Sequence, residues 1–201
     1  MIDSYYRTPF QKILIEPILP HLLKSDIHAN HLTLLALLSG IAVIPCMALG
    51  RNIVALAFLL LSGYLDVLDG SVARRKKEAS SYGAIFDIVS DRIVEFSVVF
   101  GLYLAEPQSR GVLSLLMLGS ILVCVTSFLV VGIFTANSGE KSFHYSPGIM
   151  ERAEAFVFFA LMISFPSFFG LLALAFILLV TLTAVVRIKE FITKSSYTQT
   201  S

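Results

Sequence analysis

The sequence predicts an all-α, polytopic membrane protein with six transmembrane helices and an N-terminal interfacial helix. Three observations lead there. Hydrophobic residues make up 56% of the 201-residue chain and charged residues 14%, against roughly 45–50% and 25% in ordinary globular proteins. The apolar residues fall in runs that each approach the roughly 20 residues needed to cross a bilayer. Lys and Arg collect in alternate connections, as the positive-inside rule requires of a multi-span chain.

Residues 1–27 carry Arg7, Lys12, Glu16, Pro17, Pro20 and Lys24 without an uninterrupted apolar core, so they do not read as a cleaved signal peptide. Phe10, Ile13, Leu14, Ile18 and Leu22 offer an apolar side either to the headgroup region or to the helix bundle, and both readings stay open. Residues 28–191 form the membrane domain, with helices predicted over about 31–50, 52–73, 83–105, 111–135, 149–165 and 167–191. Residues 192–201 remain as a cytoplasmic tail. The connection over 137–148 is polar and carries Gly139, Glu140, Lys141, His144 and Pro147, which reads as a cytoplasmic loop.

Placing the amino terminus inside puts Arg7, Lys12, Lys24, Arg74, Arg75, Lys76, Lys77, Lys141, Arg152, Arg187, Lys189 and Lys194 on the inner side, and only Arg51 and Arg110 outside. Arg75, Lys76 and Lys77 are read as topological anchors rather than chemistry. A net charge of +1 gives no global attraction to nucleic acid. Cys46 and Cys124 lie in apolar stretches, where a small buried thiol is the ordinary role.

The second predicted helix ends with Asp66, Asp69, Gly70, Ala73 and Arg74, and the third begins with Gly83, Asp87, Asp91, Arg92 and Glu95. An aspartate at the centre of a membrane helix costs about 2.5–3.5 kcal/mol on insertion scales, so four of them demand compensation. At 100° per residue, Asp66, Asp69, Gly70, Ala73 and Arg74 share one arc, while Gly83, Asp87, Asp91 and Glu95 follow i, i+4 spacing. A short connection makes the two helices antiparallel neighbours, so both stripes can converge. Gathered carboxylates repel unless cations neutralise them, and two divalent ions balance four negative charges. Oxygen-only ligands favour magnesium, manganese or calcium, and no His/Cys set has zinc spacing.

Gly70, Ala73 and Gly83 leave a notch beside these carboxylates where a flat base or a diphosphate can approach the backbone, with Arg74 at its rim to meet phosphate oxygens. Close helix packing is the alternative use of the same small residues. Arg92 and Glu95 read as structural, pairing with each other or with neighbouring helices, and Asn30 and Thr33 as a cap and a satisfied hydroxyl at the start of the first span.

The string Asp66-x-x-Asp69-Gly70-x-x-Ala73-Arg74, eight residues, then Gly83-x-x-x-Asp87-x-x-x-Asp91 resembles the CDP-alcohol phosphotransferase signature at every fixed position. Asn30-x-x-Thr33 is similar to that family's Pro-Asn-x-x-Thr motif, with Ala29 in place of the proline. The resemblance implies a homodimeric six-helix bundle, with two Mg2+ or Mn2+ ions held by Asp66, Asp69, Asp87 and Asp91. It places the cytidine near Gly70, Ala73 and Gly83, with Arg74, Asn30 and Thr33 in the donor site, and makes Asp91 the general base. Bacterial relatives mostly use CDP-diacylglycerol, which implies a bacterial inner (plasma) membrane and a site facing the cytoplasm.

Arg152 and Arg187 resemble the acceptor-phosphate arginines of the phosphatidylinositol-phosphate synthase branch, which suits glycerol phosphate or inositol phosphate as acceptor. Helix-end anchoring is their alternative role. That branch carries basic residues late in its fourth helix, where this chain has Phe128, Leu129, Val130, Val131, Gly132 and Ile133. An uncharged acceptor such as inositol or serine, or one contacted by Lys141 or His144, stays in view. A carboxylate-lined cation transporter is the competing class; it would spread its acidic residues across the membrane instead of clustering them at one face.

Overall fold

The computed structural model describes residues 14–25, 27–78, 80–134 and 149–198. Every regular element among them is helical. In chain order these are α1 (Leu19–Lys24), α2 (Ala29–Ala48), α3 (Asn52–Lys76), α4 (Ser81–Ala105), α5 (Pro107–Phe134), α6 (Arg152–Ser164) and α7 (Phe169–Thr198), with a 3-10 turn at Pro166–Phe168 before the last.

Four segments, Ala29–Ala48, Asn52–Lys76, Pro107–Phe134 and Pro166–Thr193, are long and apolar enough to cross a membrane. Helix α4 has comparable length but carries Asp87, Asp91, Arg92 and Glu95. Helix α6 has 13 residues, and a helix of that length reaches roughly 20 Å against a hydrocarbon core of about 30 Å. Its Glu151 and Glu154 form a capping box that starts the helix at Arg152 rather than at the predicted 149.

The other boundaries shift for local reasons. Pro107 opens α5, a position where its missing N–H costs nothing, and this carries Arg110 out of the predicted loop and into the helix. There Arg110 is buried, donates to Glu106 at 2.6 Å and lies 4.7 Å from the Phe169 ring centre. Helix α3 runs to Lys76 and ends on Lys77 in the left-handed conformation, φ 56°, whose amide bonds the Ala73 carbonyl. Helix α7 continues to Thr198, past the predicted end at residue 191.

Helix α2 packs on both α3 and α4, α3 also meets α6, and α5 pairs with α7. The main core draws Val43 and Met47 from α2, Leu59 from α3, Val98 and Leu102 from α4, Met117 from α5, Phe159 and Met162 from α6, and Phe176 from α7. A smaller cluster joins Ile15 and Leu19 to Ala29, Leu32, Leu68 and Val72. The start of the described chain therefore has one packed side, with the Tyr64 hydroxyl donating to the Leu14 carbonyl at 2.9 Å, while Leu14 and Ile18 stay exposed.

Small residues set the helix separations. A Cβ on Gly40 of α2 would lie 2.5 Å from Val94 Cγ2 on α4, and one on Gly101 of α4 would lie 3.2 Å from Met47 Cγ on α2. Val94 is buried and β-branched, so it has no alternative rotamer to retreat into. Gly40→Ala is expected to cost about 1–3 kcal/mol by overpacking, seen as a lower Tm in detergent and relieved by adding Val94→Ala. Gly119→Ala, where nothing lies within 4 Å, is the control and should not lower the Tm.

Candidate active site

The C-terminal part of α3 and the N-terminal part of α4 bring the predicted carboxylates together. Asp66, Asp69 and Asp87 each turn one oxygen toward the others, and these three atoms lie within 4.8 Å of one another. Asp69 is buried and accepts a 2.6 Å hydrogen bond from Thr33 Oγ1, whose contact with the Ala29 carbonyl is longer at 3.2 Å. Thr33 thus ties α2 to the acidic group, and its hydroxyl is spent chiefly on Asp69 rather than on its own helix.

Asp91 sits one turn deeper along α4 and is held differently. Its Oδ1 lies 2.6 Å from Arg152 Nη2, and its Oδ2 lies 3.8 Å from Arg92 Nη2. Arg152 Nη1 reaches Asp66 Oδ2, also at 2.6 Å. A single guanidinium therefore joins α3 and α4 from α6. Arg92 meets Glu95 at 2.8 Å, the pair expected from the sequence.

Three features position Arg152. The capping box fixes the start of α6. The Met150 amide donates to Thr183 Oγ1 on α7 at 2.9 Å, at a site where Thr183 is fully buried. The Phe156 ring, one turn along α6, lies 5.6 Å from the guanidinium carbon and packs against Gly63, where a Cβ would meet it at 2.9 Å. Gly63 and Asp66 on α3 thus face Phe156 and Arg152 on α6.

The glycines expected to form a notch have polar side chains beside them. A Cβ on Gly70 would meet Arg74 Nη1 at 3.4 Å, so the Arg74 guanidinium lies over the Gly70 backbone. A Cβ on Gly83 would meet Asn30 Oδ1 at 3.4 Å and Ser80 Oγ at 3.3 Å. Asn30 therefore borders Gly83; the N-cap of α2 is His28, one residue before the helix. The N-cap of α4 is Ser80, which accepts from the Gly83 amide at 3.1 Å.

Sequence reasoning missed the clamp at this end of the molecule. Lys76, read as an anchor, donates to the Ser25 and Ile27 carbonyls at 2.8 and 2.9 Å. Glu78 meets His28 Nδ1 at 3.0 Å and accepts from the Ala29 amide at 3.4 Å. Desolvation pulls the Glu78 carboxyl upward, but the His28 ring, the Ala29 amide and the nearby positive charges together hold it below its usual range. The basic run after Ala73 was visible, yet nothing in it named partners about fifty residues upstream.

Arg187 is buried and engaged by α5 rather than by the acidic group. Its Nη1 donates to the Cys124 carbonyl at 3.1 Å and to Ser127 Oγ at 3.3 Å, and its guanidinium carbon lies 5.3 Å from the Phe128 ring centre. Lys141, the third expected acceptor residue, lies outside the described residues, as does His144.

The residues fit a divalent cation. Three carboxylate oxygens from two helices converge, and Asp87 Oδ1 is buried with no hydrogen-bond partner. An orphaned anionic oxygen in such a place calls for a positive charge.

The chain is similar to known proteins in sequence and in fold. The model of the CDP-alcohol phosphatidyltransferase family matches residues 26–188. The chain is 33% identical over 177 residues to the inner membrane protein YnjF of Escherichia coli, covering 85% of each. It is 31% identical over 129 residues to the archaetidylinositol phosphate synthase of Methanothermobacter thermautotrophicus, covering 64% of this chain and 62% of that protein. In fold it resembles phosphatidylinositol phosphate synthase of Mycobacterium tuberculosis. The crystal structure with CDP-DAG bound has a TM-score of 0.73 at 21% identity, covering 90% of this chain and 94% of that one. The complex with manganese and citrate gives 0.72 at 20%, covering 88% of each. With its four apolar helices and an inner membrane relative, the chain is an integral membrane protein.

Thr183→Val removes the acceptor of the Met150 amide and leaves a buried donor unpaired, at a cost of about 1–3 kcal/mol. Thermal unfolding should show that loss, hydrogen exchange should speed up at the Met150 amide, and Thr183→Ser should restore both.

Proposed function

The chain belongs to the CDP-alcohol phosphatidyltransferase family and is a transferase; on that premise we propose that it moves a phosphatidyl group from CDP-diacylglycerol to a small alcohol, releasing CMP. The observation that carries this reading is the convergence of Asp66, Asp69 and Asp87 beside a buried, unpartnered Asp87 oxygen. We assign Asp66, Asp69, Asp87 and Asp91 as ligands of two Mg2+ or Mn2+ ions. Bound there, these ions supply Lewis-acid polarisation of the donor diphosphate and offset the charge that develops on departing CMP.

The remaining work falls to the protein. Gly70, Ala73 and Gly83 leave room for the cytidine, bordered by Asn30 and Thr33, and Arg74 meets phosphate oxygens from its place over Gly70. The acceptor oxygen attacks the phosphorus that carries the diacylglycerol, the bond from that phosphorus to the CMP oxygen breaks, and Asp91 takes the hydroxyl proton. No covalent enzyme intermediate is needed.

Arg152 favours a phosphorylated polyol, such as glycerol phosphate or inositol phosphate, as acceptor. It lies 2.6 Å from Asp91, so an acceptor held by its phosphate on that guanidinium would present a hydroxyl beside the base. Arg187 and Lys141 are the further acceptor contacts in this reading. The engagement of Arg187 by α5 is what favours the second reading, an uncharged acceptor with the same chemistry.

For its setting we propose a six-helix membrane domain, α2 to α7, over 28–191. Residues 1–27 lie at the interface and 192–201 in the cytoplasm. The protein would be a homodimer in a bacterial inner membrane with the acidic ends of α3 and α4 facing the cytoplasm. The asymmetric distribution of Lys and Arg supports that orientation.

Purified protein given labelled CDP-diacylglycerol, Mg2+ or Mn2+, and separately glycerol phosphate, inositol phosphate, inositol, serine and glycerol should release CMP with at least one acceptor. Asp91→Asn should lower that rate by about 10²–10⁴-fold while sparing much of the metal binding. Asp66→Asn should damage both. Undiminished turnover in either variant would overturn the assigned roles, and no CMP release with any acceptor would overturn the reaction.

A further inference from the structure

Arg152 makes contacts that an acceptor-binding role alone does not require. Both of its terminal nitrogens bond carboxylates, one on α3 and one on α4. Both oxygens of Asp91 face guanidinium groups, those of Arg152 and, at longer range, Arg92. Asp66, Asp69 and Asp87 instead turn oxygens toward one another. The four carboxylates are thus divided, with three gathered for a cation and the fourth engaged by arginine. Asp66 belongs to both groups.

We propose that Arg152 and a divalent cation compete for Asp66 and Asp91, so that loading the full metal set transfers Arg152 from the carboxylates to an anionic acceptor. This rests on the transferase reading, because it needs both the cations and the acceptor. The charge count supports it. Four carboxylates carry four negative charges, which two divalent ions cancel. The guanidinium, always protonated, is then left without a counter-charge among these groups, and a phosphate monoester is its natural partner. Until that balance is reached, Arg152 is the counter-ion that relieves repulsion between Asp66 and Asp91.

The local structure allows the exchange. Arg152 stands at the first position of α6, where a cation opposes the helix dipole, so its presence serves the site rather than the helix. The capping box and the Thr183 hydrogen bond fix the backbone there, leaving the long side chain as the moving part. The Phe156 face gives the guanidinium a surface on which to turn. Metal therefore loads before the anionic acceptor, and because linkage is reciprocal, the acceptor tightens the metal.

The test uses the full-length protein in detergent, with Mn2+ binding followed by electron paramagnetic resonance and sn-glycerol 3-phosphate binding by calorimetry. Arg152→Gln should bind its weaker Mn2+ about tenfold more tightly than the natural protein. Arg152→Lys keeps the charge but has one ammonium that cannot span both carboxylates, so it should show the same change to a smaller degree and serves if the Gln variant does not stay folded. The unmutated protein should bind glycerol phosphate only with Mn2+ present. Unchanged or weaker Mn2+ affinity in the variants overturns the exchange. Glycerol phosphate binding that ignores Mn2+, or is absent in both conditions, overturns it too. CMP release in the same preparation separates the two levels: release with unchanged Mn2+ affinity sinks the exchange alone, whereas neither release nor Mn2+ binding sinks the transferase reading.

Discussion

The structure is organised around the need to neutralise four carboxylates at the facing ends of two helices. Water and lipid offer no cheap solution there, since each uncompensated charge would cost several kcal/mol. The chain supplies part of the answer itself. Thr33 donates to Asp69, Arg152 spans Asp66 and Asp91, and Arg92 is shared between Glu95 and the far oxygen of Asp91. What it leaves unmet, at Asp87 and among the three converging oxygens, is the place for a cation.

That requirement accounts for much of the packing. Carboxylates on α3 and α4 are brought together by α2, which packs on both and approaches α4 closely at Gly40 and Gly101. The guanidinium must arrive from the side, which α6 manages by docking Phe156 into the space at Gly63 and starting its first turn level with Asp66. The clamp of Lys76 and Glu78 on residues 25–29 then holds the start of α2 where Thr33 can reach Asp69.

The legibility of the sequence follows from the range of the interactions involved. Helices, the acidic stripes on α3 and α4 and the Arg92–Glu95 pair are local patterns, and periodicity exposes them directly. Asp66 and Asp87 were expected to converge from the short connection alone, whereas α3 and α4 are brought together chiefly by their shared packing on α2. Long-range choices were not visible in this way. The two partners of Arg152 lie on helices far off in sequence, and Thr183 gives no hint on its own that it accepts from Met150. Glu151 and Glu154 did carry a signal, the spacing of a capping box, and it would have moved the start of α6 to Arg152. Arg187 was expected beside Arg152 because both sit at inner helix ends, but a shared depth does not fix which way a side chain turns, and α5 offered it a carbonyl and a hydroxyl.

The two halves of the site therefore differ in how firmly they are specified. The half proposed for the donor is built by α2 with α3 and α4 packed on it, and its residues stand at fixed spacing along short stretches of chain. The half proposed for the acceptor rests on α6, a short helix whose entry is pinned to α7 by one hydrogen bond and to α3 by one ring. A shift of a single turn in α6 would carry Arg152 away from Asp66 and Asp91 while leaving Asp66, Asp69 and Asp87 where they are. The converging carboxylates thus depend on the packing of α3 and α4 on α2, and the arginine that meets them depends on the placement of α6.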